Sequence, residues 1–343
     1  MILIRADGNP ELGLGHIMRC LSISEAAKQL GYESCFVCAD DNFERIISEK
    51  GYKCYVLNTD YTDMESEVSQ FEKIIDSVAP THIIVDSYYV TAAYFEFLHN
   101  KSKIVYIDDL VESAYPIDIL VNYNIFATDN DYEKLYSDSS YPVPRLILGT
   151  QYVPLRREFQ GIVASKIKKF VCNILISPGG TDPGNTAFRI INALKADTLF
   201  NNVNFHFIIG KLNPYKDLMI EQAQSISNVY IHTDIVQMSE LMLECDMAIS
   251  AGGVTLYELC ACGLPTITYI LADNQIKITT EFEKRGIMLS VGDCGNNCTF
   301  VTELFAKVNQ LKDDYEYRET LSQKSQNSVN TYGACNLIQK IFL

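Results

Sequence analysis

Short apolar segments alternate with amphipathic segments along the first part of the chain. Apolar residues recur every three or four positions from Ile17 to Leu30, which places them on one face of a helix. The pattern predicts strands over 1–5, 34–38, 54–57, 82–86, 104–107 and 119–121. It predicts helices over 15–30, 42–50, 65–77 and 91–100. Strands and helices in alternation are typical of a parallel sheet with helices on both faces.

The alternation restarts after a proline-containing segment at 141–159. Strands are predicted over 173–177, 204–209, 229–231, 247–250 and 266–269, and helices over 185–194, 216–225, 238–243, 255–262 and 275–284. The tail from residue 302 is predicted to be mostly helical. We therefore predict an α/β protein with two doubly wound, Rossmann-like domains, 1–150 and 151–343, whose C-terminal helix can return to the first domain.

The composition narrows the classes of function. The chain has 343 residues, of which 48% are hydrophobic and 21% are charged, as in globular proteins. A net charge of −15 disfavours a nucleic-acid partner, because like charges repel. No segment has the length of a membrane span, and the N-terminus lacks the pattern of a signal peptide. We therefore expect a cytoplasmic protein with no membrane partner, whose 11 cysteines are reduced, mostly buried side chains rather than metal ligands.

The loop after the first predicted strand carries the most specific chemistry. Residues 5–20 read RADGNPELGLGHIMRC, and Gly13 and Gly15 permit close backbone approach before a helix whose free N–H groups suit a pyrophosphate. His16 lies in the first turn, where a helix N-terminus and a cationic neighbour favour the neutral imidazole of a general base. The alternative is a tight turn beside a surface histidine. The candidates for substrate binding in this loop are Arg5, Asp7, Gly15 and Arg19.

Two glycine-rich loops in the second half are candidates for nucleotide binding. In SPGGTDPGN at 177–185, Asn185 or Thr181 can cap the next helix, and capping is also the alternative role of the whole loop. SAGGVTLYELCACGLP at 250–265 places a diglycine before a helix that carries Glu258, whose carboxylate can accept hydrogen bonds from ribose hydroxyls. The alternative for Glu258 is an interaction with the helix dipole alone. The nucleotide-binding candidates are Gly179, Gly180, Gly252, Gly253, Thr255 and Glu258.

Polar residues also follow several strands of the first half. Asp86 and Tyr88 come directly after a predicted strand, and we take both as candidates for substrate binding. Others in comparable positions are Asp108, Asp109, Asn122 and Asn124. Such residues are common turn formers, yet together they can line a sugar pocket.

These landmarks resemble a known family. The stretch RADGNPELGLGHIMRCLSISEAA is similar to the N-terminal signature of the UDP-sugar hydrolases of pseudaminic acid biosynthesis, which act on UDP-2,4-diacetamido-2,4,6-trideoxy-β-L-altropyranose, and of related spore-coat polysaccharide proteins. QYVPLRREF, SPGGTDPGNT and SAGGVTLYELCACGLPTI follow in the family's order. The last of them also resembles the nucleotide-binding stretch of the glycosyltransferases that make lipid II.

The resemblance implies a GT-B-like fold with two domains facing a central cleft. It implies hydrolysis at the anomeric carbon with inversion, releasing UDP and a free sugar for a nonulosonic (pseudaminic-type) acid of surface polysaccharides, without a metal ion or cofactor. His16 matches the histidine of the family's GxGHxxR motif, which serves as the base, and Glu258 matches its ribose contact. Asn274 matches a substrate-contacting asparagine, although Asp273-Asn274-Gln275 also resembles the transferase pattern. We expect a monomer whose partner is a small-molecule nucleotide sugar.

Three functions are compatible with these features. The first is hydrolysis of a UDP-linked diacetamido sugar, and the second is a GT-B glycosyltransferase that uses an acceptor hydroxyl in place of water. The third is a non-catalytic binder of sugar nucleotides. The sequence shows no amphipathic or basic apolar patch for a lipid acceptor, which favours hydrolysis over transfer to a lipid. It does not specify the sugar, the base or the oligomeric state.

Overall fold

A computed structural model describes residues 1–9, 13–196, 199–210, 213–233, 235–295 and 297–343. The chain divides into two compact units. Unit 1 comprises Met1–Arg157 and Tyr332–Leu343, and unit 2 comprises Glu158–Thr331. The chain thus passes from unit 1 to unit 2 after Arg157, whereas the sequence predicted a boundary after residue 150, and its last segment belongs to unit 1.

Unit 1 is a doubly wound parallel sheet. Its strands are β1 (Ile2–Ala6), β2 (Ser34–Cys38), β3 (Cys54–Val56), β4 (His82–Asp86), β5 (Lys103–Ile107), β6 (Ile119–Asn122) and β7 (Arg145–Leu148). Its helices include α1 (Gly15–Gln29), α2 (Glu44–Glu49), α3 (Val68–Val78), α4 (Ala92–His99) and α5 (Asp129–Ser137). The strand order is β3-β2-β1-β4-β5-β6-β7, so the winding direction reverses between β1 and β4. Ligands of open parallel sheets bind at the carboxyl ends of the strands beside such a reversal.

Unit 2 repeats this architecture with six strands. The strands are β8 (Asn173–Ser177), β9 (Asn204–Ile208), β10 (Val229–His232), β11 (Met247–Ala251), β12 (Thr266–Ile270) and β13 (Leu289–Asp293), in the order β10-β9-β8-β11-β12-β13. The helices are α6 (Thr186–Ala196), α7 (Lys216–Ala223), α8 (Met238–Glu244), α9 (Thr255–Ala261), α10 (Ile276–Lys284), α11 (Phe300–Asp313) and α12 (Tyr315–Asn327). The reversal lies between β8 and β11, and the two predicted glycine-rich loops follow these strands.

The final helix, α13 (Gly333–Phe342), packs within unit 1. Arg145 donates a hydrogen bond from Nη2 to the carbonyl of Ile341 at 2.7 Å, and the rings of Tyr32 and Phe342 stack with centroids 4.0 Å apart. A methyl group on Gly333 would lie 2.2 Å from the carbonyl oxygen of Val153, so only glycine permits this close approach. The helix is therefore a built-in part of the first sheet's packing.

Three elements were missed by the sequence pattern, and each has little periodic signal. In α5 the buried apolar side chains are Tyr132 and Tyr136, and the helix begins with a capping box between Thr128 and Asp131 rather than with an apolar run. Strand β7 follows two prolines and is only partly buried, and β13 alternates with serine and glycine. The predicted helix over 65–77 begins instead with a 3-10 turn, and α3 proper starts at Val68.

A buried ion-pair network lies beneath β1 of unit 1. Arg5 is fully buried, and its guanidinium makes two hydrogen bonds of 2.7 Å to the carboxylate of Glu67. Arg5 Nη1 lies 2.6 Å from Asp7 Oδ2, and the hydroxyl of Tyr94 donates to Glu67 Oε1 at 2.6 Å. Burial alone lowers the pKa of Arg5, but Asp7 and Glu67 raise it well above its usual value. The network ties β1 to the 3-10 turn that precedes α3 and to α4.

The cysteines are free thiols. Cys35, Cys38, Cys260, Cys262 and Cys294 are buried, as predicted, whereas Cys298 is exposed in the loop before α11. Over the described ranges of the chain, no helix is long and apolar enough to cross a membrane.

Two histidines meet on neighbouring strands at one edge of the sheet of unit 2. His206 Nδ1 on β9 lies 3.0 Å from His232 Nε2 on β10, and the ring of Tyr230 stacks on His206. Burial lowers the pKa of both rings, and His232 lowers that of His206 further, against the opposing effect of Glu244. Folding therefore favours the neutral form of both rings.

We expect this pair to make unit 2 less stable as the pH falls from about 7 to about 5. The histidines of the unfolded chain take up protons below an ordinary pKa of about 6.5, whereas the folded rings resist protonation, so acid favours unfolding. Urea unfolding at the two pH values checks this, with His232→Gln as the comparison. An equal loss of stability in the variant would assign the acid sensitivity to other groups.

Candidate functional site

The carboxyl ends of four neighbouring strands gather the predicted polar residues of unit 1. Asp7 follows β1, Asp86 ends β4, Asp109 follows β5 and Asn124 follows β6. These strands are adjacent in the sheet and parallel, so their carboxyl ends meet at one edge. The helix α1, which starts at Gly15 as predicted, adds side chains from its first turns to the same place.

His16 and Asp86 form a hydrogen-bonded pair. His16 Nδ1 lies 2.6 Å from Asp86 Oδ1, and the ring is only 6% exposed. Burial alone raises the pKa of Asp86, but Arg19 and His16 lower it well below its usual range. A contact this short requires a proton between the two atoms, and the proton belongs to the nitrogen because Asp86 stays ionised. In the neutral ring Nε2 therefore carries the lone pair, and no group among the described residues hydrogen-bonds to it.

Arg19 contacts both residues of the His16–Asp86 pair. Its Nε donates to Asp86 Oδ2 at 2.6 Å, its Nη2 also contacts Asp86 Oδ1, and Nη2 lies 3.0 Å from His16 Nδ1. Its Nη1 donates to Tyr123 at 2.6 Å. The thiol of Cys20 donates to Asp86 at 3.4 Å. The carboxylate is thus held on several sides, which fixes the orientation of the imidazole.

Tyr88 and Asp109 complete the cluster. The rings of Tyr88 and His16 pack edge to face with centroids 4.7 Å apart, and the Tyr88 hydroxyl donates to Asp109 Oδ2 at 3.2 Å. Asp109 also accepts from Arg19 Nη1 at 2.6 Å. The sequence placed Asp109 only among the polar residues that follow strands and can line a sugar pocket, without distinguishing it from Asp108, and it did not name Tyr123.

Two other predicted substrate-binding residues lie deeper. Arg5 is fully buried in the network beneath β1, and Asp7 Oδ1 accepts a hydrogen bond from the Ala39 amide at 2.8 Å. Their contact with substrate stays a prediction, and the geometry favours a supporting role. Gly13 has a φ of +77°, which favours glycine, and residues 10–12 of this loop lie outside the described residues.

The predicted nucleotide residues of unit 2 gather in the same way. Gly179 and Gly180 follow β8, Gly252 and Gly253 follow β11, and Asn274 lies in a 3-10 turn just after β12. These three strands are neighbours in the sheet. Thr255 is the first residue of α9, and the mostly buried Glu258 lies one turn further along the same helix.

The helix cap in this unit was predicted wrongly. Asp182, not Asn185 or Thr181, caps α6: its Oδ1 accepts from the Thr186 amide and its Oδ2 from the Ala187 amide, both at 2.9 Å. Asn185 instead takes a φ of +48°. A carboxylate with two oxygens can bond two free amides of the first turn, which a single side-chain amide oxygen or hydroxyl does less well.

The glycines of these loops differ in what surrounds them. A Cβ atom on Gly180 or Gly253 would meet no atom within 4 Å, whereas one on Gly252 would lie 2.6 Å from the Thr279 hydroxyl. Gly252 is thus required by packing against α10. Gly180 and Gly253 face open space and leave their backbone accessible to a ligand.

We expect Gly253→Ala to weaken the binding of UDP about tenfold or more while changing the free energy of unfolding by less than about 0.5 kcal/mol. The new methyl enters the open space beside the loop, where the sequence predicts the phosphates, and not the protein core. Gly252→Ala is the matched control, and overpacking should cost it about 1–3 kcal/mol of stability. Calorimetric titration with UDP and urea unfolding measure the two effects. Unchanged UDP affinity in Gly253→Ala would remove this loop from the nucleotide site.

Metal ligands were also sought in both units. Within the parts of the chain that the structure describes, no three histidine, cysteine, aspartate or glutamate side chains are grouped so as to hold a metal ion.

Comparison with known proteins supports the resemblance drawn from the motifs. Residues 179–335 match the model of the glycosyltransferase family 28 C-terminal domain. The chain is 28% identical over 280 residues to a Helicobacter pylori protein named pseudaminic acid cytidylyltransferase and UDP-2,4-diacetamido-2,4,6-trideoxy-β-L-altropyranose hydrolase. The match covers 80% of this chain and 45% of that protein. A Campylobacter jejuni protein named for the hydrolase alone is 23% identical, over 83% of this chain and 97% of its own length.

Two further relatives match this chain over similar shares of its length. The spore coat polysaccharide biosynthesis protein SpsG of Bacillus subtilis is 23% identical, with 84% of this chain and 83% of SpsG covered. A Methanocaldococcus jannaschii relative is 25% identical over 80% of this chain, and the match spans 56% of the relative's length. The chain therefore spans about half the length of two of its curated relatives. The suspected family resemblance is confirmed.

Solved structures show the fold class. The S. aureus MnaA–UDP co-structure matches with a TM-score of 0.68 at 15% identity, covering 99% of this chain and 95% of that one. The crystal structure of Acinetobacter baumannii MurG matches with a TM-score of 0.65 at 13% identity, covering 99% of each chain. The fold is α/β and GT-B-like, as predicted. The predicted cleft between the two domains stays a prediction.

Proposed function

We propose that this chain, a relative of the UDP-sugar hydrolases and spore-coat polysaccharide proteins, hydrolyses a UDP-linked diacetamido-trideoxy sugar at its anomeric carbon. The products are UDP and a free sugar that supplies a pseudaminic-type acid. The names of two relatives support this reaction for the present chain. The observation that carries it is the pair of His16 and Asp86, whose geometry leaves Nε2 of the ring as a proton acceptor.

The chemistry follows from this pair. Nε2 of His16 takes a proton from a water molecule as the water oxygen bonds to the anomeric carbon. The bond between that carbon and the phosphate oxygen breaks, and its electron pair leaves with UDP, so the configuration inverts. Asp86 stabilises the imidazolium that forms, in the manner of a base–orienter pair. Arg19 keeps the carboxylate ionised and in place.

The loops of unit 2 are proposed to hold the nucleotide. The open backbone at Gly180 and Gly253 suits the diphosphate, and Glu258 suits the ribose hydroxyls. Asn274 is exposed in its turn after β12 and is proposed to contact the substrate. Backbone amides at such loops stabilise the negative charge that develops on the departing phosphate.

We further propose that the reaction needs no metal ion or cofactor and that the enzyme is a cytoplasmic monomer. The loops described above supply donors for the leaving group, which is the task a metal ion performs in other enzymes. Turnover in excess EDTA should equal turnover without it. Loss of activity that Mg²⁺ restores would contradict this part of the proposal.

The direct test is to incubate the protein with the UDP-linked diacetamido sugar alone and follow the anomeric proton signals by NMR. We expect the donor signal to disappear as UDP and the free sugar appear in equal amounts, with the inverted anomer formed first. Unchanged anomeric signals over hours would favour a non-catalytic binder.

The second candidate is a GT-B glycosyltransferase that uses a UDP-sugar donor. The match of residues 179–335 to the C-terminal domain of glycosyltransferase family 28 favours it. The same incubation separates the two, because a transferase releases UDP only slowly when no acceptor is present. Fast UDP release without an acceptor that depends on His16 favours hydrolysis.

A further inference from the structure

Asp109 connects three side chains around the proposed base. Its Oδ2 accepts from Arg19 Nη1 at 2.6 Å and from the Tyr88 hydroxyl at 3.2 Å, while its Oδ1 accepts from Asn124 Nδ2 at 3.0 Å. The carboxylate is 13% exposed, in the loop directly after β5. Three elements, α1 and the loops after β4 and β6, meet at this one group.

The neighbouring carboxylate has a different task. Asp108 accepts from the amides of Leu110 and Val111 and from the hydroxyl of Tyr132. These bonds shape the turn after β5 and anchor it to α5. None of them joins the cluster around His16, so adjacent aspartates divide into one that builds the loop and one that reaches the site.

We propose that Asp109 is a positioning residue that fixes the reactive orientation of His16 through Arg19 and Tyr88. This inference rests on the proposed hydrolysis. Arg19 contacts both His16 and Asp86, and the Tyr88 ring packs against the imidazole edge to face. Each of these two side chains is bonded to Asp109, so the imidazole is braced by Asp86 directly and by Asp109 through two intermediaries.

The negative charges of Asp109 and Asp86 both act on the guanidinium of Arg19. Asp109 and Asp86 both raise the pKa of Arg19, against the lowering effect of burial. If Asp109 is neutral, the guanidinium is left with Asp86 as its only carboxylate partner among the described residues, and it competes more strongly with the His16 N–H for that carboxylate. The Tyr88 hydroxyl keeps only a weaker acceptor at this position. Both changes loosen the imidazole, and a displacement of about 1 Å can cost roughly 100-fold in rate.

The test compares Asp109→Asn with Asp118→Asn, a half-buried aspartate at the amino end of β6 in the same sheet. We expect Asp109→Asn to lower kcat by roughly 10- to 100-fold with KM changed less than about twofold, because the nucleotide contacts lie elsewhere. Asp118→Asn should keep kcat within about twofold. A kcat in Asp109→Asn equal to that of the control would overturn the proposal.

A second variant controls for misfolding and tests whether Asp109 acts through Tyr88. Tyr88→Phe removes only the hydroxyl that bonds Asp109 and retains the ring against His16. If Asp109 acts partly through Tyr88, the double variant should lose less activity than the two single losses combined. Fully additive losses would show that Asp109 does not act through Tyr88.

A spectroscopic readout keeps this inference separate from the proposed reaction. Nitrogen-15 NMR of the His16 ring should show the proton on Nδ1 in the wild-type protein and a mixture of tautomers in Asp109→Asn. If the wild-type protein hydrolyses no UDP-sugar, the proposed function fails while this signal still tests the positioning role. An identical His16 spectrum in the variant would refute it.

Discussion

Replacing His16 by glutamine is expected to lower kcat by about 10³-fold, within the range of 10²–10⁴ for the loss of a general base. Glutamine fills a similar volume and can donate to Asp86, but it has no lone-pair nitrogen to take the proton from water. The affinity for UDP should change less than about twofold, because we assign the nucleotide to the loops of unit 2. Initial rates of UDP release and calorimetric titration with UDP measure the two quantities.

Two further variants make this result interpretable. His99→Gln changes a half-exposed histidine on α4 and should leave kcat unchanged. Asp86→Asn keeps the shape of the orienting group but removes its charge, and it should lose at least 10²-fold, since the proton on Nδ1 is then no longer held by a carboxylate. Full turnover in His16→Gln would remove the imidazole from its assigned role, whatever the other variants show.

Replacing Glu67 by glutamine is expected to lower the free energy of unfolding by about 3–5 kcal/mol. Both side chains of the Arg5–Glu67 pair are fully buried, so the variant leaves a buried guanidinium with Asp7 as its remaining carboxylate. Tyr94 also loses its charged acceptor. Urea unfolding followed by circular dichroism gives the change in free energy.

An exposed ion pair in the same unit provides the control. Arg45 and Glu49 are joined at 2.7 Å, but their side chains are 88% and 61% exposed. Arg45→Gln should cost less than about 0.5 kcal/mol, because water screens such pairs. A loss in Glu67→Gln no larger than in the control would mean that the buried network is not what holds β1 to its neighbours.

The sequence predicted the elements that follow strict patterns. Strands such as β4 and β8 have the predicted bounds because each has a central run of three apolar residues, which suits a sheet covered on both faces. The sequence missed α5, whose order depends on a capping box and two tyrosines that become buried only in the folded unit. Local pattern cannot report burial that long-range packing creates.

The candidate site was predictable to the same extent. His16, Arg19, Asp86 and Tyr88 were proposed because they stand after predicted parallel strands or in the following helix, and the structure brings all four together. Asp109 was not distinguished from Asp108, since the two share one loop and only side-chain direction separates them. Likewise the local sequence pattern did not predict that Glu67 pairs with Arg5, because the partners are 62 positions apart.

The return of α13 to unit 1 sets an order for biosynthesis. A ribosome makes all the strands of the first sheet, then the whole of unit 2, and only afterwards the helix that lies against α1. Unit 1 therefore waits for its last segment, with part of its apolar surface uncovered, until the chain of unit 2 has been made. The half that is synthesised first is thus the half whose packing is completed last.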